Sequence, residues 1–186
     1  MSRVQIVDPK TAPAPARDLL AAVQAQLGVT PNFIRVLANS PKALEGFLGL
    51  YGAASGFALD KATQERIALA VAEGNACQYC VSVHTAIGRH AGLTNDEMAL
   101  NRRGGSGQAR AAAVVAFAKA LNDNRGEVTT AEFEAARAAG LTDGELVEVI
   151  AVVALNVFTN LLGKATRVEI DFPKVELLGS PVKAAA

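Results

Sequence analysis

Glu73-Gly-Asn-Ala-Cys77-Gln-Tyr-Cys80-Val-Ser-Val-His84 is the stretch on which the reading of this chain turns. It holds both cysteines and one of the two histidines. The order is Cys-x-x-Cys-x-x-x-His, and residues three and four apart share one face of a helix. A helix through these positions therefore lines two thiols and an imidazole along one stripe. Gly74-Asn75 breaks the apolar run before it, so the helix starts near Cys77. A start there aims unpaired backbone N–H groups at the first thiol and favours its thiolate. A thiol with a pKa of about 8.5 is under ~10% ionised at neutral pH, whereas one near ~7 is about half ionised.

Working outward, the flanking sequence reads as helices joined by tight corners. Upstream, Asp60 caps a helix from Lys61 to about Glu73, with Ile67, Leu69 and Val71 inside. Ser40-Pro41 opens another that runs to about Ser55, with Leu44, Phe47, Leu48 and Tyr51 inward. Asn32 to Ala38 is a short helix, with Thr30 expected as its cap. Ala16 to Leu27 has helical spacing at Leu19, Leu20, Val23 and Leu27. Residues 1–15 carry three of the seven prolines and read as an arm.

Downstream, the cysteine helix is expected to reach His90 and a short one to run from Thr94 to Asn101. Arg102 to Gly107 reads as a mobile glycine-rich loop, and an alanine-rich helix follows from Ser106 or Gly107 to about Leu121. Helices over Thr129–Ala139 and Thr142–Leu162 come next, and residues 167–186 form a second arm. A Gly-x-Thr corner occurs at Gly28, Gly92 and Gly140, and Thr94/Glu97, Thr129/Glu132 and Thr142/Glu145 have capping-box spacing. Nothing alternates as a strand. The expectation is an all-α chain forming one domain over residues 1–186. The loose likeness of Lys61–Thr85 to Glu145–Thr166 raises the option of two related helical halves.

Composition narrows the chemistry. The 186 residues carry 18 basic and 18 acidic side chains, so no net charge or basic stripe argues for nucleic acid. Hydrophobic residues make up 51% but aromatics only 5%, an Ala/Leu/Val balance that suits packed helices. The start lacks an apolar signal core. The run Val147–Leu162 contains Glu148 and Asn156 and reads as a buried helix rather than a membrane span, so the expected location is cytoplasmic.

In that setting a Cys-x-x-Cys pair points to redox chemistry or to half of a metal site. Structural zinc needs four ligands, and Cys77, Cys80 and His84 supply three with no second cysteine pair, so no metal and no cofactor is expected. Gly104-Gly105-Ser106-Gly107 lacks the Lys-Ser/Thr of a phosphate-binding loop. His84 lies one turn beyond Cys80, placed to accept its proton. A carboxylate behind the imidazole would fix its tautomer, and the sequence offers two, Glu65 and Glu73. His90 reads as a cation at a helix end. Buried, inert cysteines are the plain rival reading.

The run from Glu65 through Cys77, Cys80, His84 and Thr85 resembles the alkylhydroperoxidase D-like branch of the carboxymuconolactone decarboxylase family. Gly28-Val-Thr-Pro-Asn32-Phe, Ser40-Pro41, Asn156-Val-Phe-Thr-Asn160 and Asp171-Phe-Pro173 resemble its peroxidase-related members, so the likeness spans about Leu27 to Pro173. It implies an all-α fold, homo-oligomers built as trimers or hexamers, and a peroxiredoxin-type oxidoreductase that reduces a small-molecule hydroperoxide and is recycled by a thiol or dithiol. Carried over by position, Cys80 is the peroxidatic cysteine, Cys77 the resolving one, His84 the base and Glu65 its partner. Glu65 stands twelve positions before Cys77 (77 − 65), where the family keeps its carboxylate. Tyr79 stands where the best-known members have a second histidine. A phenol does not act as a base near neutral pH, so Tyr79, like Glu73, is assigned a supporting place. Two rivals are a decarboxylase-like enzyme of the same family, which does not need the cysteine pair, and a non-catalytic redox-sensing oligomer. Neither nucleic acid nor membrane is expected as a partner.

Overall fold

The computed structural model describes residues 1–179. The part of the expected C-terminal arm beyond residue 179 lies outside the described residues. Within them the chain forms α1 (Ala14–Leu27), α2 (Asn32–Leu37), α3 (Pro41–Ala54), α4 (Lys61–Gly74), α5 (Gln78–His90), α6 (Asn95–Arg102), α7 (Ala109–Asp123), α8 (Thr130–Ala138) and α9 (Asp143–Thr166). No strand occurs among the described residues.

The ends of the helices follow from capping. Ser40 and Asp60 accept from the Ala43 and Thr63 N–H groups at the starts of α3 and α4. Thr129/Glu132 and Thr142/Glu145 form complete capping boxes. Gly92 and Gly140 turn their corners at φ +85° and +88°, which a Cβ disfavours.

Two expected caps are built differently. Thr30 does not cap α2; its hydroxyl donates to Gln24 Oε1, and the Asn32 N–H is met by Asp171 Oδ2 at 2.7 Å from the far end of the chain. At Thr94 only half a box forms. Its hydroxyl accepts from the Glu97 N–H, but the Glu97 carboxylate is drawn to Arg66 Nε (2.8 Å), Asn101 Nδ2 (3.0 Å), Ser106 Oγ (2.5 Å) and Gly107 N–H (2.9 Å). The glycine-rich segment expected to be mobile is thus pinned, and Asn101 also donates to Gly105 O. α7 starts only after it, at Ala109.

Burial pushes the Glu97 carboxyl up, but these four donors outweigh it and bring the pKa to about 2. With 13% of the side chain exposed, the lowering is only partly screened. At about 1.4 kcal/mol per unit, the drop from 4.5 corresponds to about 3 kcal/mol. A folded pKa below the unfolded one gives stability that is complete above pH 4.5 and lost as pH falls toward 2. Glu97→Gln is expected to lower unfolding free energy by about 2–3 kcal/mol at pH 7 in urea titrations. The gap should narrow at pH 3, and a gap that ignores pH would contradict this assignment.

α4 is the central element. It packs against α5, α6, α7 and α9, and every residue from Glu65 to Ala72 is buried. Ile67 and Val71 therefore face one side and Leu69 another, toward Leu93 and Met98, as in a helix enclosed all round. On one side Ile67 and Val71 join Val114, Phe117, Leu146, Val149 and Val153 of α7 and α9. On the other, Ala72 joins the cysteines, Tyr79 and residues of α1, α2 and α3.

α9 is long and apolar enough to cross a membrane by length and composition. It is buried on one side only. Leu146, Val149, Val152 and Val153 enter the core, while Val147, Ile150, Phe158 and Leu161 are exposed. Both arms pack on the chain itself as far as it is described. Val7 is buried and exchanges backbone and side-chain hydrogen bonds with Arg35.

Candidate redox site

The antiparallel packing of α4 on α5 builds the site. α4 ends at Gly74, Asn75 follows as its cap, and Ala76 turns the corner at φ +50°. Cys77 is then the N-cap of α5, and its N–H bonds back to Ala72 O at 2.9 Å. Cys77 and Cys80 are paired as a disulfide, with Cα atoms 5.3 Å apart. The Cys80 N–H donates to Cys77 Sγ at 3.3 Å. In the reduced pair this contact favours a Cys77 thiolate, as a start near Cys77 implies.

His84 follows Cys80 by one turn. Its Nδ1 lies 2.8 Å from Glu65 Oε2, and Glu65 Oε1 lies 2.9 Å from Lys61 Nζ. Glu65 is only 2% exposed. Burial alone would raise its pKa, but His84 and Lys61 together hold it below the ordinary value. Facing an ionised carboxylate, Nδ1 carries the proton, which leaves Nε2 as the basic nitrogen.

Of the two carboxylates the sequence offers, the structure brings Glu65 to His84. Glu73 accepts instead from Arg102 Nε and the Leu178 N–H, both at 2.7 Å. His90 is the exposed last residue of α5. Among the described residues, no three His, Cys, Asp or Glu side chains gather as metal ligands.

Tyr79 points away from proton transfer. Its hydroxyl donates to Asp171 Oδ1 at 2.9 Å and accepts from the Phe33 N–H at 3.2 Å. Burial, then the Asp171 charge, pushes the phenol well above its usual range. Phe33 stacks on the ring and Phe172 meets it edge-on, both at 6.2 Å. Asp171 thus joins Tyr79 of α5 to the start of α2. The segment after it is fastened along α5 by Val175 N–H to Ser82 Oγ and Gln78 Nε2 to Glu176 Oε2. Tyr79→Phe removes a buried donor and strands the Phe33 N–H, an expected cost of about 1–3 kcal/mol in denaturant unfolding. Turnover per folded molecule is expected to stay within a few-fold of wild type; a loss matching that of His84→Ala would contradict the supporting role.

Two features of the site escaped the sequence reading. Asn75 Nδ2 donates to Asn122 Oδ1 (2.8 Å) and Asn160 Oδ1 (2.9 Å), and Lys164 Nζ donates to Asn75 O (2.6 Å), so α7 and α9 hold the corner before Cys77. The signal was Asn160 in a largely apolar stretch, because a buried amide needs partners. Gly163 of α9 lies against the disulfide; a Cβ there would sit 3.4 Å from Cys77 Sγ and 3.8 Å from Cys80 Sγ. A lone glycine inside a helix was its signal.

Fold and site together give a helical chain with a buried Cys-x-x-Cys pair and a carboxylate-held histidine. Residues 41–123, which include Glu65, Cys77, Cys80 and His84, match the carboxymuconolactone decarboxylase family. An uncharacterised peroxidase-related protein from Ralstonia eutropha JMP134 with the alkylhydroperoxidase AhpD core is 27% identical; the alignment covers 91% of this chain and 92% of that one, with a TM-score of 0.80. An uncharacterised peroxidase-related protein from Silicibacter sp. TM1040 is 23% identical over 90% of this chain and 91% of that one, also with a TM-score of 0.80. The debrominase Bmp8, in complex with 2,3,4-tribromopyrrole, shares the fold at 19% identity and a TM-score of 0.78, with 92% of each chain covered. No curated protein matches the sequence. The family match and the AhpD-like neighbours bear out the resemblance and the all-α fold read from the sequence.

Proposed function

We propose that this chain is a thiol-dependent peroxidase that reduces a hydroperoxide through Cys77 and Cys80. The observation that carries the reading is the His84–Glu65 contact. It holds an imidazole, oriented by a buried carboxylate, one turn beyond a cysteine whose partner thiol is already at bonding distance.

In the proposed sequence His84 Nε2 takes the Cys80 proton. The Cys80 thiolate attacks one peroxide oxygen and the O–O bond breaks. The alcohol leaves with the proton held by His84, and Cys80 becomes a sulfenic acid. Cys77 then attacks the Cys80 sulfur, forming the disulfide and releasing water. A dithiol reductant restores both thiols and is itself oxidised to a disulfide. The Cys80 N–H helps the second step by stabilising Cys77 as a thiolate, and makes Cys77 the better leaving group when the disulfide is reduced. This contact alone would favour Cys77 as the first nucleophile; the histidine and the family resemblance favour Cys80. A cytoplasmic setting suits the chemistry, because thiol reductants are kept reduced there. The exposed apolar face of α9 supports assembly with further copies of the chain.

The test is stoichiometric. Reduced protein mixed with a limiting organic hydroperoxide should form one Cys77–Cys80 disulfide per peroxide consumed, and a dithiol should restore turnover. Disulfide formation without sustained peroxide loss would favour the redox-sensing alternative. Peroxide-independent conversion of a carboxylated lactone would favour the decarboxylase-like one.

A further inference from the structure

We infer that Lys61 is a positioning residue of this site: by sharing the Glu65 carboxylate with His84, it limits the negative charge the imidazole faces and keeps that imidazole able to accept a proton. The inference rests on the proposed peroxidase reading for its purpose, but not for its geometry.

The two oxygens of Glu65 are divided between an imidazole and an ammonium. Oε2 meets His84 Nδ1 at 2.8 Å, and Oε1 meets Lys61 Nζ at 2.9 Å. The carboxylate is buried, so water screens its contact with His84 poorly and, because Lys61 is half-exposed, its contact with Lys61 only in part. With His84 as its only partner, such a carboxylate would strongly favour the imidazolium, which has no lone pair with which to take a thiol proton. Lys61 opposes this twice. It balances part of the Glu65 charge, and it places a second positive charge near the ring.

The lysine is held for the task. It is the first residue of α4, fixed by the Asp60 cap, and it reaches Glu65 one turn on. Tyr51 of α3 covers its ammonium, with the ring centre 5.3 Å from Nζ. The Lys61 side chain is 48% exposed while that of Glu65 is 3% exposed, so Lys61 joins a buried carboxylate to the surface. An ordinary exposed pair at this helical spacing adds little to stability and does not touch a neighbouring imidazole.

The following ionisable groups on and around α4 and α5 are engaged elsewhere. On α9, Glu148 accepts from the Ala58 and Leu59 N–H groups, Lys164 binds Asn75 O, and Glu145 pairs with Arg110 of α7. Lys119 and Asp123 of α7 pair with each other. Glu97 and Arg102 of α6 pair with Arg66 and Glu73 of α4, and Arg89 of α5 binds Asn95.

The test compares Lys61→Met and Lys61→Arg with wild type in two readouts. The first is the NMR titration of the His84 ring in reduced protein, assigned by its loss in His84→Ala. The second is the pH dependence of single-turnover disulfide formation with an organic hydroperoxide. Lys61→Met is expected to raise the pH at which the ring gains its second proton by about one unit. The acid limb of the rate profile should move upward with it, a roughly tenfold loss on that limb, and Lys61→Arg should restore both. A displacement of the ring titration under ~0.3 unit, or in the opposite direction, overturns the inference, and so does one that Lys61→Arg fails to reverse, since it would then stem from geometry rather than charge. Should wild type not react with peroxide at all, the peroxidase reading fails by itself, and the ring titration still decides the role of Lys61.

Discussion

Cys80→Ser is expected to abolish hydroperoxide turnover, a loss on the order of 10⁶-fold, the scale seen when an enzyme's nucleophile is removed. The cause is ionisation. A serine hydroxyl stays protonated at any pH the fold tolerates, and His84 cannot make it an anion that breaks an O–O bond. Cys77 survives in this variant, but the proposed route leaves it no sulfenic acid to resolve. Cys80 is buried beside Val81 and close to Gly163 of α9. Serine is nearly isosteric there, so the variant should keep its helical circular dichroism, which separates lost chemistry from lost fold. Turnover within tenfold of wild type would remove Cys80 from the nucleophile's place.

His84→Ala is expected to lower single-turnover disulfide formation by ~10²–10⁴-fold, the range for losing a positioned base. Most of the loss should appear near neutral pH and shrink toward alkaline pH, where the thiol ionises without help. Glu65→Gln should lose less, because the amide still accepts at His84 Nδ1 but no longer stabilises the imidazolium. Its folded-state pKa lies below the ordinary value, so Glu65 gives its full effect above that value and loses it as pH falls through the folded pKa. Glu65→Gln should therefore matter least on the acid side. A His84→Ala rate equal to wild type across the range would show that the imidazole transfers no proton.

The site was half legible in the sequence. Spacing alone set Cys77, Cys80 and His84 on one face, because helical periodicity is a local property. The choice between Glu65 and Glu73 was not local: it depends on how α4 packs against α5, and Glu73 goes instead to Arg102 and the C-terminal segment. The same limit explains the caps. Thr142 and Glu145 have no stronger partners and form the box their spacing implies. Glu97 has the same spacing from Thr94, yet Arg66, Ser106 and Gly107 compete for its carboxylate and win. The start of α2 is met by Asp171, which no local window contains. α9 shows the limit of composition, since one apolar run supplies both a core face and an exposed face.

Chemical trapping of the oxidised sulfur tests the central claim most directly. Reduced Cys77→Ser, treated with one equivalent of hydroperoxide and a dimedone-type reagent, should carry one adduct on Cys80 by peptide mass spectrometry, because no thiol remains to resolve the sulfenic acid. Cys80→Ser treated in the same way should carry none. An adduct on Cys77 of Cys80→Ser, with none on Cys80 of Cys77→Ser, would contradict the account and give the nucleophile's role to the cysteine at the helix start.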